Sequence, residues 1–235
     1  MSTPDQSEPR GDLSAVLELI REIAEKSANG NYLYRGEPRR HRKVSSSLWR
    51  VCKKKMRTED FDIRDIEAPI LEEARKFTSE KEEIEIWAEL QHYGGHTNLI
   101  DFTTDSHVAL FFACDRFLNK PGRVILLGES AQNENRVEKN PEHPRHRIIA
   151  QKSVFIHPPM GLVEPDDVIT IPAHLKSAIL SYLDKQHGIS TETIYNDLHG
   201  FIRNQDIYQT ACIEVYMGLP HEQKGDPENE DTDET

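Results

Sequence analysis

The segment of residues 91–114 constrains the fold more than any other part of the chain. It predicts the end of a helix, a double-glycine turn, a strand over residues 98–102, a polar turn, and an apolar helix that begins at Val108. The polar residues between that strand and that helix are Thr103, Thr104, Asp105 and Ser106. In one interpretation these side chains only cap the following helix. In the other, Asp101, Thr103 and Thr104 lie beside the free N–H groups at the start of the helix, where anions bind.

Length and composition favour one folded domain with extended ends. The 235 residues contain no internal repeat, and runs such as residues 108–113 and 124–127 are apolar enough to form a core. We predict a disordered N-terminus over residues 1–10, a domain over residues 11–219, and an acidic, disordered tail over residues 220–235. The tail holds seven acidic residues and one lysine, so it contributes half of the formal net charge of -12.

Cysteine usage and the first residues both favour a reducing, cytoplasmic location. The three cysteines, Cys52, Cys114 and Cys212, are too widely spaced for a metal knuckle or a disulfide framework. The first residues lack the pattern of a secretion signal, and no apolar run approaches the length of a membrane span. We therefore expect no membrane partner.

Helices and strands are predicted in mixed order, which is the α/β (α+β) class. The first helix is expected to be capped by Asp12 or Ser14 and to stop at Gly30. Further helices are predicted over residues 66–78, with Phe77 on its buried side, and over residues 80–92, 174–186 and 191–204. Strands are predicted over residues 32–34, 124–127, 147–156, 168–172 and 212–217.

Arg35 and Gly36 follow the first predicted strand and form a candidate anion-binding position. A guanidinium group binds phosphate or carboxylate with paired hydrogen bonds, and a glycine lets another backbone or a ligand approach closely. A surface arginine at a turn is the alternative, and the sequence leaves both open.

The region from Arg35 to Arg57 is basic within an acidic chain. It holds ten lysines and arginines and a single acidic residue, Glu37. Arginines at this density can contact nucleic-acid phosphates, and the candidate contacts are Arg39, Arg40, Arg42 and Arg50. A solvated, charged loop is the commoner explanation of such a run.

Two other groups of polar residues accompany regular elements. The helix of residues 80–92 delivers Gln91, His92 and Tyr93 to the turn before the strand of residues 98–102, where His92 can be structural or functional. In the strand predicted over residues 147–156, Gln151 and Ser153 share one face by the period of two. A metallohydrolase is disfavoured because the histidines near Asp101 lack a recognised ligand spacing, so we predict no metal site.

Six motifs occur in the chain order of a known family. They are Tyr-Arg-Gly at residues 34–36, Ser-Ser-Leu-Trp-Arg at 46–50, Gln-His-Tyr-Gly-Gly-His-Thr-Asn-Leu-Ile-Asp-Phe-Thr at 91–103, Val-Ala-Leu-Phe-Phe-Ala at 108–113, Arg-Ile-Ile-Ala-Gln-Lys-Ser-Val-Phe at 147–155 and Ile-Tyr-Asn-Asp-Leu-His-Gly-Phe at 194–201. Together they resemble the FRG-domain family over about residues 13–204. The chain departs from the family pattern at Tyr34, His96, Asn98 and Phe102, where Phe, Pro, Arg and Trp are usual.

A weaker resemblance links the same motif order to the ADP-ribosyltransferase superfamily. It implies a single domain with a mixed, strongly bent β-sheet flanked by helices, and NAD as the co-substrate. The implied catalytic residues are Arg35, Thr103, Gln151 and Asp101. The implied cofactor-binding residues are Arg35, Gly36, Gln91, His92, Tyr93, Gly94, Thr97, Thr104 and Ser153.

The superfamily's glutamate is missing, because Gln151 and Ser153 occupy its two aligned positions. A carboxylate stabilises the positive charge that develops on the ribose when nicotinamide leaves, whereas glutamine or serine supplies only a dipole. Either Asp101 or Glu214 substitutes for it, or the domain binds NAD or a nucleotide without efficient turnover. The first hypothesis is a toxin or phage-defence effector that modifies a macromolecule, with nucleic acid or protein as the acceptor. The second is a non-catalytic module that binds a nucleotide or a partner.

Overall fold

The helices and strands alternate irregularly in the computed structural model, which describes residues 10–128, 136–138 and 146–197. The helices are α1 (Arg10–Lys26), α2 (Ser47–Met56), α3 (Ile63–Ala74), α4 (Glu83–His92), α5 (Ser106–Cys114), α6 (His146–Ala150), α7 (Lys176–His187, after a 3-10 turn at Ala173–Leu175) and α8 (Thr191–Ile194). The strands are β1 (Tyr32–Glu37), β2 (Val44–Ser45), β3 (Ile100–Thr103), β4 (Gly122–Gly128), β5 (Arg136–Glu138), β6 (Ser153–His157), β7 (Leu162–Val163) and β8 (Asp167–Ile171).

Six strands form the central sheet, in the order β5-β6-β3-β1-β4-β8, and β2 pairs with β7 in a small second sheet. Every pairing among the described strands is antiparallel. The expected mixed sheet is therefore wrong for this part of the chain, whereas the combination of helices with a sheet is confirmed. The strand β1 lies between β3 and β4, so its residues are held from both sides.

One face of the sheet is covered by helices. Val124 and Leu126 of β4 pack with α5, α1 and α7 in the largest apolar cluster. Farther along the same face, Phe155 of β6 packs against Leu71 of α3, Trp87 of α4 and Ile148 of α6. We call this side of the sheet the helical face.

The opposite face carries Leu33, Phe102, Ile125 and Ile156, because neighbouring residues of a strand point to opposite sides. Val44 of β2 and Val163 of β7 cover these residues. A separate cluster joins Leu48, Trp49 and Cys52 of α2 with Ile63 of α3, and Leu162 of β7 packs against it. We call this side the small-sheet face.

Several predicted elements are confirmed close to their expected limits. Helices α4 and α7, strand β4 and strand β8 lie where apolar spacing places them, and Gly188 ends α7 with the left-handed φ of 63° that glycine tolerates. The first helix is also confirmed, but it begins at Arg10, so Asp12 lies in its first turn and is not its cap. None of the helices in the described residues is long and apolar enough to cross a membrane.

Four local predictions are wrong. They are the basic region as a loop throughout, a strand that begins at residue 147, Phe77 as a buried residue, and a helix over residues 191–204. Part of the basic region forms helix α2, whose N-cap Ser46 accepts a hydrogen bond from the Trp49 N–H. Residues 146–150 are helical, because Ile148 packs on the helical face before the strand begins at residue 153. Phe77 lies beyond the end of α3 and is 84% exposed. Helix α8 ends at Ile194 and not at residue 204. Three further predictions lie outside the described residues, namely the strand of residues 212–217, the role of Glu214 and the acidic tail.

Candidate anion-binding site

Arg35 lies on β1 with its side chain on the small-sheet face. Strand β1 pairs with β3 through Tyr34 and Thr103. Two residues before that pair, the Asp101 carbonyl accepts a hydrogen bond from Arg35 Nη1 at 2.7 Å. Arg35 Nε also donates to Glu37 Oε1 at 3.2 Å, and the side chain remains 21% exposed. The guanidinium group is thus held in place while part of it stays accessible.

Glu37 and Arg123 form a buried pair next to Arg35. They face each other across the β1–β4 register, and Arg123 Nε and Nη2 approach Glu37 Oε2 at 2.8 and 2.7 Å. Burial raises the pKa of Glu37, but the charges of Arg35 and Arg123 outweigh burial, so its pKa lies below the ordinary value. Glu37 is therefore an ionised carboxylate shared by two arginines.

Arg50 of α2 adds a third guanidinium group. It donates to the Ser45 carbonyl, and its pKa is lowered by burial and then by the charge of Arg35, while Glu37 acts in the opposite direction. The charges of Arg35 and Glu37 both act on Arg50, so the three groups lie within electrostatic range of one another. We call Arg35, Arg50 and Arg123 around Glu37 the arginine cluster. It contains one carboxylate for three guanidinium groups.

His41 borders the arginine cluster without adding charge to it. Burial lowers the pKa of His41, Glu37 raises it, and the charges of Arg39, Arg123 and Arg50 lower it further. The net direction is downward, so the ring is neutral near pH 7. A neutral imidazole has one donor and one acceptor nitrogen, which lets it bind a ligand next to the guanidinium groups.

Thr103 and Ser153 lie on the other side of the sheet from the Arg35 side chain. They are register partners, both are buried, and Thr103 is also the partner of Tyr34 on β1. Because residues paired across strands share a face, Tyr34, Thr103 and Ser153 form one polar row on the helical face.

The turn after β3 is occupied by capping interactions. Asp105 is the N-cap of α5 and accepts from the His107 N–H, and Thr103 Oγ1 accepts from the Asp105 N–H at 3.1 Å. Lys152 Nζ contacts Asp105 Oδ2 at 2.7 Å, and the backbone carbonyl of Lys152 accepts a hydrogen bond from the Thr104 N–H. The side-chain hydrogen bond with His107 is the largest influence that lowers the pKa of Asp105. Capping of α5 by Asp105 is therefore confirmed, and a role of this turn in ligand binding stays a prediction.

Gln151 lies in a turn and not in a strand. It follows α6, and the next residue, Lys152, has a left-handed φ of 46°. Gln151 Nε2 donates to the Ile194 carbonyl at 3.2 Å. The prediction that Gln151 and Ser153 share a strand face is therefore wrong, because the turn changes the direction of the chain between them.

Asp101, Gln91 and Thr97 form a hydrogen-bonded network at the start of β3. Gln91 Nε2 donates to Asp101 Oδ1 at 2.7 Å, and Gln91 Oε1 accepts from Thr97 Oγ1. The Thr97 N–H in turn donates to Ser47 Oγ of the α2 first turn at 3.0 Å. Asp101 therefore connects the two sides of the predicted site, with its carboxylate on Gln91 and its carbonyl on Arg35.

His92, Tyr93 and Gly94 form the turn that ends α4. The two rings meet edge to face with their centroids 5.2 Å apart, Tyr93 is exposed, and Gly94 has a left-handed φ of 89°. Their predicted role in cofactor binding stays a prediction.

Gly36 provides room for a helix. A Cβ atom at this position would lie 2.7 Å from the Ala113 nitrogen and 2.8 Å from Phe112 Cβ, and still closer to the Ala109 carbonyl oxygen. All three atoms belong to α5. The sequence predicts that either another backbone or a ligand approaches Gly36 closely, and the structure shows the backbone of α5 there.

The exposed basic residues differ in their pairing. Lys43 and Lys53 both contact the Glu59 carboxylate, whose pKa they lower to about 2 by hydrogen bonds. Arg39, Arg40 and Arg42 are exposed, and Arg39 Cζ lies 4.9 Å from the centroid of the Phe117 ring. These arginines therefore have charge available for an external anion, as do the exposed Lys54, Lys55 and Arg57.

Sequence reasoning missed Arg123 and the role of Glu37. Arg123 is the second residue of a strand whose other residues are apolar or glycine, and Glu37 is the single acid in the basic region. An arginine in an apolar strand and a lone acid in a basic region were the two features of the sequence that could have drawn attention to these residues. Only the register of β1 with β4 shows that the two residues are partners. Among the described residues, no group of three or more His, Cys, Asp or Glu side chains could hold a metal ion.

Comparison with known proteins gives one match. The family model of the FRG domain matches residues 30–121, a range that contains β1, the basic region and α2 to α5. No curated protein and no solved structure matches the chain. Arg35, Glu37 and Arg50 lie inside the matched range, and Arg123 lies two residues after it.

Proposed function

We propose that this chain, through the FRG domain matched at residues 30–121, binds the phosphate groups of a nucleotide or nucleic acid at the arginine cluster. The observation that carries the proposal is the imbalance of charge, because Arg35 and Arg123 share the single carboxylate of Glu37 and Arg50 lies within electrostatic range of the same groups. Part of the Arg35 side chain is exposed, so an external anion can reach it.

The physical basis is the cost of partly burying positive charge without a counter-ion. A buried ion pair is tolerated when its charges balance, and unbalanced charge is unfavourable in a low-dielectric environment. A phosphate oxygen would supply the missing negative charge. Guanidinium groups also match phosphate geometry with two parallel hydrogen bonds, which gives the site a preference over spherical anions.

We expect Arg50→Ala to weaken the binding of inorganic pyrophosphate and ADP-ribose by about tenfold or more, since hydrogen bonds to charged groups contribute about 1.5–3 kcal/mol. Isothermal titration calorimetry at low salt measures the affinity. Arg50 suits this test because it is more exposed than Arg123, so its removal disturbs the core less. Arg21→Ala is the matched control, because Arg21 is an exposed arginine of α1, which packs on the helical face.

The opposite change provides an internal check on the same site. Glu37→Gln removes the negative charge of the cluster, so pyrophosphate should bind more tightly and should raise the melting temperature more than in the wild-type protein. If neither pyrophosphate nor ADP-ribose binds the wild-type chain, or if Arg50→Ala binds them as the wild type does, the arginine cluster is only structural.

A second candidate function is NAD-dependent ADP-ribosyl transfer, for which the arginine cluster would hold the pyrophosphate of NAD. In this reaction the bond between ribose C1′ and nicotinamide breaks, nicotinamide leaves with the bonding electrons, and a nucleophile of a macromolecule bonds to C1′ and loses a proton. Asp101 is the carboxylate that this candidate would use, because its backbone carbonyl accepts a hydrogen bond from Arg35 and its side chain is held by Gln91. A toxin or phage-defence effector that acts on nucleic acid or protein would use such a reaction.

Nicotinamide release separates the two candidates. If the domain transfers ADP-ribose, Asp101→Asn should reduce release by about a hundredfold or more while ADP-ribose affinity stays close to that of the wild type. Chromatographic detection of nicotinamide, with NAD and cell lysate as the source of acceptors, gives the readout. Binding of NAD without nicotinamide release above the protein-free rate would contradict transfer and leave the phosphate-binding function in place.

A further inference from the structure

We propose that Phe117 and Arg39 form a stacking platform for a base of single-stranded nucleic acid, adjacent to the arginine cluster. The inference rests on the proposed phosphate binding and specifies its ligand as a strand with unpaired bases. Phe117 lies in the loop between α5 and β4, and Arg39 lies in the segment that follows β1.

The conformation of Phe117 is unusual for an apolar residue in a loop. Its ring is 44% exposed, and its backbone has a left-handed φ of 50° although it is not glycine. A bulky residue adopts this conformation only when its surroundings enforce it, and such strain concentrates at binding sites. The Arg39 guanidinium carbon lies 4.9 Å from the ring centroid, so an aromatic ring and a planar cation are already in cation–π contact.

A buried lysine holds the platform in place. Lys176 is fully buried, and its Nζ donates to the carbonyls of Pro38 at 2.6 Å, Arg116 at 3.0 Å and Phe117 at 3.2 Å. Lys176 therefore holds Pro38, the residue before Arg39, next to the loop that carries Phe117. Since Pro38 directly follows Glu37, the platform lies at the end of β1 that carries the arginine cluster.

The combination of groups identifies the ligand class. An aromatic ring and a guanidinium plane stack on any base, and the exposed arginines beside them bind backbone phosphates. Arg39, Arg40 and Arg42 are exposed in the segment that continues from β1. A duplex would offer the phosphates without the base faces, because its bases are stacked on each other. The platform therefore favours a single strand over a duplex and over a simple polyphosphate.

Fluorescence anisotropy with a labelled single-stranded RNA of twelve nucleotides tests the platform. Phe117→Leu keeps an apolar side chain at the position and removes the ring, and we expect it to weaken RNA binding by about fivefold to a hundredfold, the range for the loss of one stacked base. Leu118→Ala is the control, because Leu118 is exposed and adjacent but has no ring. Arg39→Lys retains the charge and removes the stacking plane, so it should also weaken RNA binding.

Inorganic polyphosphate serves as the second probe, because it carries the charge of the RNA backbone without bases. Its affinity should be unchanged by Phe117→Leu and reduced by Arg50→Ala. If Phe117→Leu binds the RNA as tightly as the wild type does, the proposed platform is wrong. Polyphosphate binding that is weakened by Arg50→Ala would still support phosphate binding at the arginine cluster in that case. If the wild-type protein binds neither probe, the proposed phosphate-binding function itself fails. A duplex of the same sequence that binds as tightly as the single strand would also overturn the platform.

Discussion

Gly36→Ala is expected to prevent the domain from folding stably. The added methyl group would overlap the Ala109 carbonyl and lie 2.7 Å from the Ala113 nitrogen, and both atoms belong to the backbone of α5. A clashing side chain can rotate away, but these atoms move only if the whole helix moves off the sheet. We expect a loss of at least about 3 kcal/mol, a large share of the stability of an ordinary domain. Urea denaturation followed by circular dichroism measures it.

Gly30→Ala is the matched control for that substitution. A Cβ at Gly30 would meet the Tyr32 ring at 3.3 Å, and a side chain of this kind can adjust. We expect a change within about 0.5 kcal/mol, as for most surface substitutions. If Gly36→Ala unfolds at the same urea concentration as the wild type, the close contact between α5 and β1 is absent in solution.

The expected behaviour of Gly36 separates two roles within one short motif. In Tyr34-Arg35-Gly36, alternate residues point to opposite faces of β1, so Tyr34 and Gly36 belong to the helical face and Arg35 to the small-sheet face. The glycine admits α5, and the arginine carries the charge that we assign to ligand binding. A substitution at Gly36 should therefore impair folding, whereas a substitution at Arg50 should impair binding first.

The sequence predicted the elements that depend on local spacing. Helix α5 and strand β4 were predicted because an apolar run of that length has few alternatives, and Asp105 was a predicted cap because its side chain reaches a neighbouring N–H group. Arg35 was a candidate site residue because a guanidinium group followed by a glycine suits anion binding, with a surface arginine at a turn as the alternative. Each of these inferences used residues that are close in the chain.

The partners of Arg35 could not be predicted, because they depend on strand register. The Asp101 carbonyl is 66 residues from Arg35, and Arg123 is 86 residues from Glu37. A shift of one residue in the register would turn Arg123 to the helical face and leave Glu37 with one partner. The prediction that Gln151 lies in a strand failed for a related reason, because the helix of residues 146–150 is stabilised by the packing of Ile148 on helices that are distant in the chain.

Lys176→Met is expected to destabilise the domain by about 3 kcal/mol or more, because a hydrogen bond to a charged group contributes about 1.5–3 kcal/mol and this substitution removes three of them. Methionine has a similar length and no donor, so the change removes the hydrogen bonds to Pro38, Arg116 and Phe117 and keeps most of the packing. Urea denaturation gives the free energy of unfolding. Lys185→Met, at an exposed position of the same helix, is the control and should change it by less than about 0.5 kcal/mol.

The Lys176 substitution also tests whether the loop of Phe117 depends on a single anchor. At a temperature at which Lys176→Met is still folded, loss of the anchor should free Phe117 from its strained conformation and weaken single-stranded RNA binding, while pyrophosphate binding at Arg50 changes little. The two ligands thus report on different parts of one surface, since pyrophosphate needs only the guanidinium groups and RNA also needs the ring. A stability loss below about 1 kcal/mol would mean that water or a neighbouring donor replaces the lysine at the three carbonyls. Equal losses for both ligands would mean that Lys176 supports the whole end of β1 and not the Phe117 loop in particular.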